Sequence, residues 1–506
     1  MEKQPKKIWG CTIGNCIHVA GIFRFFQLAQ ACGYETRFAG TGLAVETILA
    51  ALQEEKPDFI ALSYRLTPQV AAAMFGILKE KINTVDTRVK WLFGGTPPVC
   101  DEASRSGIFA AVFNGEETDD QVIRWLKGDG MVEKERGFAH DLIGRIHDQE
   151  PYPLLRHHFG LPDLKATITG IRTLAESKTV DVISIGPDQN AQEFFFDPGK
   201  MAPGQDGAGG VPLRKPEDLR RLYEASRAGN FPLLRIYSGT NDLLKWAKLS
   251  VEELHNAWGA IPLYWYSVLD GRSKRTIERA VAENQQTMAW YGRKGIPVEV
   301  NEAHHWSLRG APDEVSVAAA YLAAFNAKAQ GVSDFILQMM WNTPPQIEPW
   351  RDFAKMLAKL DMVQMLKDKD FRIWRETRAG LASLSPHPAL AKGQLAASTL
   401  LALQVKPHIV HVVGFCEGDH AATPAEIIES CNIVKGVIKN GLTGFPELTG
   451  DRRVQERKQE LLDKAYRIIE KIGALHPGPG ALTHPPTLAA AVKMGLLNAP
   501  QILKAE

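Results

Sequence analysis

The sequence predicts two successive α/β units: a doubly wound parallel sheet of five strands, then a (β/α)8 TIM barrel, with a helical extension at the end. Three observations carry this. Short apolar runs alternate with helix-length amphipathic runs over residues 1–127. A polar, proline-containing stretch, 128–165, interrupts the alternation. The alternation then resumes over the longer segment 166–435. Strands alternating with helices at this spacing make βαβ units, and βαβ units make parallel sheets.

In the first unit, apolar runs at Ile8–Ile13, Glu35–Ala39, Phe59–Tyr64, Val89–Phe93 and Ala110–Phe113 read as strands. Ile22–Ala31, Ala44–Glu55, Val70–Ile82 and Asp119–Lys127 carry helical spacing between and after them. Residues 128–165, with Pro151, Pro153 and Pro162, read as a linker holding one helix near Ala139–His147. The barrel strands are expected at Val180–Ile185, Leu233–Tyr237, Ile261–Val268, Val298–Asn301, Phe335–Trp341, Phe371–Trp374 and Ile409–Phe415. Arg275–Trp290 and Glu314–Ala329 are among the helices between them. An eighth strand is not legible. Residues 436–506 read as helical, with Pro-Gly punctuation near His476–Pro479.

Composition narrows the function. Lys plus Arg number 59 against 58 Asp plus Glu. That balance excludes nucleic-acid or anionic-membrane binding by bulk charge. No apolar run approaches the roughly 18 residues of a membrane span. Six unpatterned cysteines read as the thiols of a cytoplasmic protein. They form no CxxxCxxC triplet, which excludes an iron–sulfur radical initiator of that type.

Three polar signals fall at strand ends of the first unit. Cys16-Ile17-His18-Val19-Ala20-Gly21 follows the first strand, Ser63-Tyr64-Arg65 closes the third, and Gly94-Gly95 closes the fourth. In an open parallel sheet these ends form the ligand crevice. Paired glycines there let a bulky group approach the backbone.

These residues resemble the cobalamin-binding domain family, whose pattern is D-x-H-x-x-G, then S-x-L, then G-G. Gly21 and Ser63 are separated by 41 residues, and Arg65 and Gly94 by 28. The resemblance implies a flavodoxin-like sheet. It implies that His18 is the lower axial ligand of the cobalt, that Ser63 bonds the displaced base, and that Gly94 and Gly95 line a slot for the nucleotide tail. Cys16 stands where the family has Asp, and Arg65 where it has Leu. The family Asp holds the histidine's second nitrogen, a role that tunes a ligand's basicity.

The second unit resembles the barrel subunit of glutamate mutase, through Leu233–Thr240, Val298–Arg309, Ala318–Val332 and Leu395–Glu426. That family joins a cobalamin domain to a TIM barrel. The resemblance implies adenosylcobalamin, a radical isomerase, and an Arg235 that grips a substrate carboxylate. The family's catalytic glutamate and a late lysine have no clear counterparts, which puts glutamate itself in doubt as substrate. Tyr266, Glu302 and His304 are further catalytic candidates at strand ends. His305 and Asn342 lie nearby. Glu302 with His304 and His305 could suggest a metal site, but neighbouring histidines on a strand face opposite sides. Glu417, with Asp419 and His420, could hold ribose hydroxyls of the cofactor; the alternative is a solvated loop. The expected function is an adenosylcobalamin-dependent mutase acting on a small carboxylic or amino acid, as a homodimer. The alternatives are a cobalamin-dependent methyltransferase and a non-catalytic corrinoid-binding protein. The first strand begins near Lys7, which leaves no room for the helical cap that shields methylcobalt and favours the mutase.

Overall fold

The structure, a computed structural model, describes residues 5–499 except 83–88, 131–136, 343–346, 381–383, 442–447 and 479. The chain divides into two compact units, residues 1–137 with 440–444, and 138–439 with 445–506.

In the first unit β1 (Lys7–Ile13), β2 (Glu35–Leu43), β3 (Phe59–Tyr64), β4 (Lys90–Gly95) and β5 (Ala111–Phe113) form one sheet in the order β2-β1-β3-β4-β5. Every pairing is parallel. The central strand β3 is buried along its whole length, which explains its unbroken apolar reading. Helices α1 (Ala20–Ala31), α2 (Val45–Glu55), α3 (Pro68–Ile82), α4 (Pro97–Ser106) and α5 (Asp119–Leu126) alternate with the strands. The sequence reading lacked α4. Helix α5 starts at a capping box: Thr118 accepts from Gln121 N, and the Gln121 side chain takes the Thr118 N–H.

The second unit opens with α6 (Leu142–Gln149) and β6 (Leu154–Phe159). β6 is the eighth barrel strand, and it lies inside the stretch expected to be a linker. Its sequence, Leu-Leu-Arg-His-His-Phe, hides a fully barrel-type strand behind three cationic or titratable side chains. There follow α7 (Leu164–Ser177), β7 (Val182–Ile185), α8 (Gln189–Phe194), α9 (Pro216–Ala225), β8 (Leu233–Ile236), α10 (Leu243–Leu254), β9 (Gly259–Ile261), α11 (Ile277–Arg293), β10 (Val298–Val300), α12 (Ala303–Ser307) and α13 (Asp313–Ala329). β11 (Asp334–Trp341), α14 (Pro349–Gln364), β12 (Arg372–Ala379), α15 (Pro388–Ala402), β13 (Ile409–His411) and α16 (Pro424–Gly441) complete the series.

The eight strands form one parallel sheet in the order β8-β7-β6-β13-β12-β11-β10-β9. Between β8 and β9 no ladder runs. Ala257 N donates to Leu234 O (2.8 Å), and Asn256 Oδ1 accepts from Ile236 N (3.1 Å), so one side chain substitutes for a strand at this seam. Two strands end earlier than expected. β9 stops at Ile261, so Leu263–Tyr266 is a loop, and β13 stops at His411.

Inside the barrel the layers differ in chemistry. The amino-terminal end is an apolar floor of Leu154, Val182, Leu233, Trp258, Ile336, Trp374 and Ile409. Leu142 and Ile146 of α6 plug it from below. Helix α17 (Arg452–Gly473) packs against α13 and α14 on the outside, and α18 (Pro485–Lys493) against α11. Among the described residues no helix is long and apolar enough to cross a membrane.

Beneath α17 a charged cluster is buried on α14. Lys355 pairs with Asp352 (3.1 Å) and Asp313 (3.3 Å). Lys359, one turn on, is fully buried, and its Nζ has no partner among the described residues. Burial, reinforced by Lys355, lowers its amine from 10.5 to about 7. Between those values the unfolded chain binds a proton that the folded chain does not, so this contribution to stability rises with pH. Lys359→Met is therefore expected to stabilise the protein at pH 7. Its advantage over wild type should shrink toward pH 10, by up to about 1.4 kcal/mol per pH unit. Urea denaturation at pH 7, 8.5 and 10 measures this, and a pH-independent difference would show Lys359 charged in the folded state.

Candidate functional sites

The carboxyl ends of β1, β3, β4 and β5 enclose a cavity of about 460 Å³ with α1 and α5 on its flanks. Its wall is mostly apolar, with Phe25, Leu28, Phe113 and Val122. His18, Gly21, Ser63, Arg65, Gly94 and Gly95 all line it, so the structure brings together the residues that the sequence singled out. Parallel register sets Ser63 beside Gly94. Arg24 of α1 and Asp119 of α5 join across the flanks in a bidentate ion pair, at 2.7 and 2.8 Å.

The two glycines differ. A Cβ at Gly94 would have its nearest neighbour, Phe113 O, at 3.9 Å, and one at Gly21 would meet nothing within 4 Å. Both therefore open into the slot. A Cβ at Gly95 would stand 2.5 Å from Tyr64 O, so Gly95 is required by close strand packing.

The loop that carries His18 is pinned at its base. Thr12 Oγ1 donates to Cys16 O and accepts from Gly42 N (2.8 Å), while Gly14 N donates to Leu43 O (2.9 Å). Cys16 is fully buried, with Sγ 3.8 Å from His18 Nδ1. The thiol thus occupies the position expected for the family's aspartate. A thiol is a weak hydrogen-bonding group, where a carboxylate is a strong acceptor. His18 is exposed, with Nε2 left open to a ligand.

The second site is the carboxyl-end mouth of the barrel. Above the apolar floor lies a buried ionic layer. Arg156 of β6 bonds Ser184 (2.6 Å), Glu299 (3.2 Å) and Glu376. Arg235 of β8 bonds Glu299 (3.0 Å), which also accepts from Trp258 (2.8 Å) and Gln338 (2.8 Å). Burial pushes both carboxyls up and the guanidiniums pull them down. Glu299, held by Arg235 and Arg156, ends below the usual range, and Glu376 ends above it.

One layer higher, His158 Nε2 meets the Tyr237 hydroxyl (2.6 Å), and the His158 and His411 rings touch at 4.3 Å. The Arg235 guanidinium lies 4.5 Å above the Tyr237 ring. Burial first, and the nearby arginines second, hold His158 and His411 well below the ordinary imidazole value. His304 is depressed in the same way, so all three are neutral. Many buried polar atoms here have no partner among the described residues, including Arg235 Nε and Nη1, His158 Nδ1, His304 Nδ1 and both ring nitrogens of His411. Buried polar groups are nearly always bonded, so this concentration marks a place for a polar ligand.

The candidates fare differently. Arg235 is fully buried and shares its charge with Glu299, yet its Nε and Nη1 have no partner among the described residues. Tyr266 holds a left-handed backbone at φ 60°. Asp270 fixes that conformation by accepting from Tyr266 N and Ser267 N, and Arg275 donates to Tyr266 O. Such strain in a bulky residue costs about 1–3 kcal/mol and collects at functional sites. Both Glu302 oxygens are engaged, by Leu263 N (2.7 Å), Tyr264 N (3.1 Å) and Trp306 Nε1 (2.7 Å). Burial pushes this carboxyl up to about 7 against those three donors. Glu302 thus ties the β9 loop to α12 and is not free for catalysis. His304 and His305 lie on helix α12, not on a strand, with their rings stacked 4.4 Å apart.

Glu417 accepts from Gly414 N (2.8 Å) and stands 3.2 Å from His157 Nε2, which shapes the loop after β13. Cys416, His420 and Glu426 come within metal-ligating distance of one another. His420, however, bonds Asp419 (2.8 Å) and Glu426 (2.9 Å) with its two nitrogens, and these bonds raise its pKa. The cluster is an imidazole clasped by two carboxylates. Sequence reading missed Arg156, His158, Tyr237, Glu376, Arg378 and His411. Arg156 and His158, and likewise Glu376 and Arg378, stand two positions apart and so share one face of a strand, but the polar residues between them mask that alternation.

Residues 6–123 match the B12 binding domain family. The chain carries a B12-binding domain, and an eight-stranded, nearly closed parallel barrel follows it. A novel cobalamin-binding protein from Desulfitobacterium hafniense is similar at 22% identity and a TM-score of 0.22, over 26% of this chain. The chain spans 61% of that protein's length. A truncated 3-deoxy-D-arabino-heptulosonate 7-phosphate synthase from Thermotoga maritima is similar at 13% identity and a TM-score of 0.32, over 57% of this chain and 86% of that one. No curated protein matches the chain in sequence.

The lining is compatible with the nucleotide tail of a corrinoid: it is mostly apolar, and Gly21 and Gly94 present no side chain to the cavity. Gly94→Leu is expected to fold normally and to weaken cobalamin binding by at least about tenfold. Gly95→Ala should instead lower the melting temperature, because its Cβ meets backbone. Spectroscopic cobalamin titration and thermal unfolding of both variants check this pair.

Proposed function

We propose that the chain is an adenosylcobalamin-dependent radical isomerase acting on a small carboxylic or amino acid. The observation that carries this reading is the pairing, in one chain, of a B12-binding domain with a barrel whose mouth buries unpartnered polar groups. His18 would hold the cobalt from below through Nε2, with Cys16 against Nδ1. Ser63 would bond the displaced base, and Gly21 and Gly94 would leave room for it. Bound adenosylcobalamin supplies a weak cobalt–carbon bond and hence a carbon-centred radical.

The barrel residues would hold the substrate and keep water away from it. The apolar floor and the α6 plug close the barrel from below. The neutral imidazoles of His158, His304 and His411 can donate or accept hydrogen bonds without adding charge. Tyr266 keeps a protonated hydroxyl, since burial pushes its pKa up to about 12. These groups fix orientation, which is what a fragment migration needs most. The protein would work in the cytoplasm, on a small-molecule carboxylate.

The test is the electron paramagnetic resonance spectrum of the full chain loaded with adenosylcobalamin. A paramagnetic cobalt signal is expected only after addition of a substrate acid. Methyl transfer from methylcobalamin, with no such signal for any acid, would replace this reading with the methyltransferase.

A further inference from the structure

We propose that Arg378 is the cation that binds the substrate carboxylate. The proposal rests on the reading above only in placing an acid in the barrel. Side chains alternate along β12. Trp374 belongs to the apolar floor and Glu376 to the ionic layer, so Arg378 projects into the barrel one layer higher, at the mouth. Its parallel neighbours in register are Met340 of β11 and His411 of β13.

Arg378 differs from every other arginine of the interior. Arg156 is shared between Glu299 and Glu376, and Arg235 is paired with Glu299. On the aromatic side, Arg309 and Arg272 both lie within 4 Å of Asp270. Arg378 has no ion pair or hydrogen bond among the described residues, and its Nε is buried without a partner. Its charge is felt by His158, His304, His305 and His411. A half-buried guanidinium set among neutral imidazoles, with Nε itself buried, has no anion beside it among the described residues, whereas a cation withdrawn from water normally has one. The forked donor set matches a carboxylate in plane and spacing. In the layer below, Arg156 and Arg235 are each paired with a glutamate, whereas Arg378 is paired with no carboxylate among the described residues. Arg235, anchored by Glu299, then lies deeper and positions the remainder of the ligand through its free Nε and Nη1.

The test needs no cofactor and no turnover. Isothermal titration of the full chain uses isobutyrate, 2-hydroxyisobutyrate, 2-aminoisobutyrate and glutamate, each against its primary amide. Wild type should bind at least one acid and prefer it to its amide by roughly tenfold or more. Arg378→Gln should abolish that preference while binding the amide as wild type does, and Arg378→Lys should restore part of it. The amide comparison separates lost charge recognition from lost folding. Preference retained in Arg378→Gln but lost in Arg235→Lys would make Arg235 the anchor and overturn the proposal. So would failure of wild type to favour any acid over its amide. Loss of preference in Arg378→Gln would stand even if no paramagnetic cobalt ever formed, so the two readings can fail separately.

Discussion

Two arginines and two glutamates, sealed from water across the inside of the barrel, set the limits for everything above them. Arg156, Arg235, Glu299 and Glu376 come from four different strands, and their bonds cross the barrel. A charge in such a place survives only if it is paired and hydrogen-bonded; removing one partner of a buried pair costs about 3–5 kcal/mol. Trp258, Gln338 and Ser184 supply the further bonds. The layer divides an apolar floor from a polar mouth. It also decides which polar groups in the mouth are already committed and which are available to a ligand.

The first unit meets a different constraint by a related route. In the proposed function a large planar group comes against strand ends, which requires side chains to be absent there. Gly94 and Gly21 leave that volume, and the apolar side chains of α1 and α5 wall it. Gly95, next in line, answers to strand packing and not to the ligand. A G-G pair thus carries two separate physical demands. Cys16 shows the reverse case: a substitution that keeps the contact with His18 and weakens its electrostatic content.

Much of this was legible in the residues. The parallel sheet of the first unit follows from buried apolar runs between amphipathic helices, and the slot residues follow from their places at strand ends. The barrel was legible through seven strands. The eighth, Leu154–Phe159, was concealed because its inward positions hold Arg156 and His158 and its setting is rich in proline. The same ionic chemistry that fills the barrel interior made the strand look like a linker. The site within the barrel was harder still. Arg235 was visible as a strand-end arginine, but its partner Glu299 sits 64 positions away in sequence, and only the closed barrel joins them. Glu302 looked catalytic because it follows a strand; its three N–H donors are contributed by a loop and a helix that local pattern cannot relate. Arg378 lies beyond Trp374, where the predicted strand ended, so its inward direction could not be read.

In the proposed function cobalamin is held by the first unit, with His18 on cobalt. The most direct measurement is the electron paramagnetic resonance spectrum of the Co(II) form of the cofactor bound to the full chain, with natural and with nitrogen-15-labelled histidine. With His18 on cobalt, labelling changes the nitrogen hyperfine pattern of the axial ligand from a triplet to a doublet. An identical pattern in the two samples would mean that the cofactor keeps its own base on the metal, and would contradict the placement of His18, Ser63 and the glycine slot together.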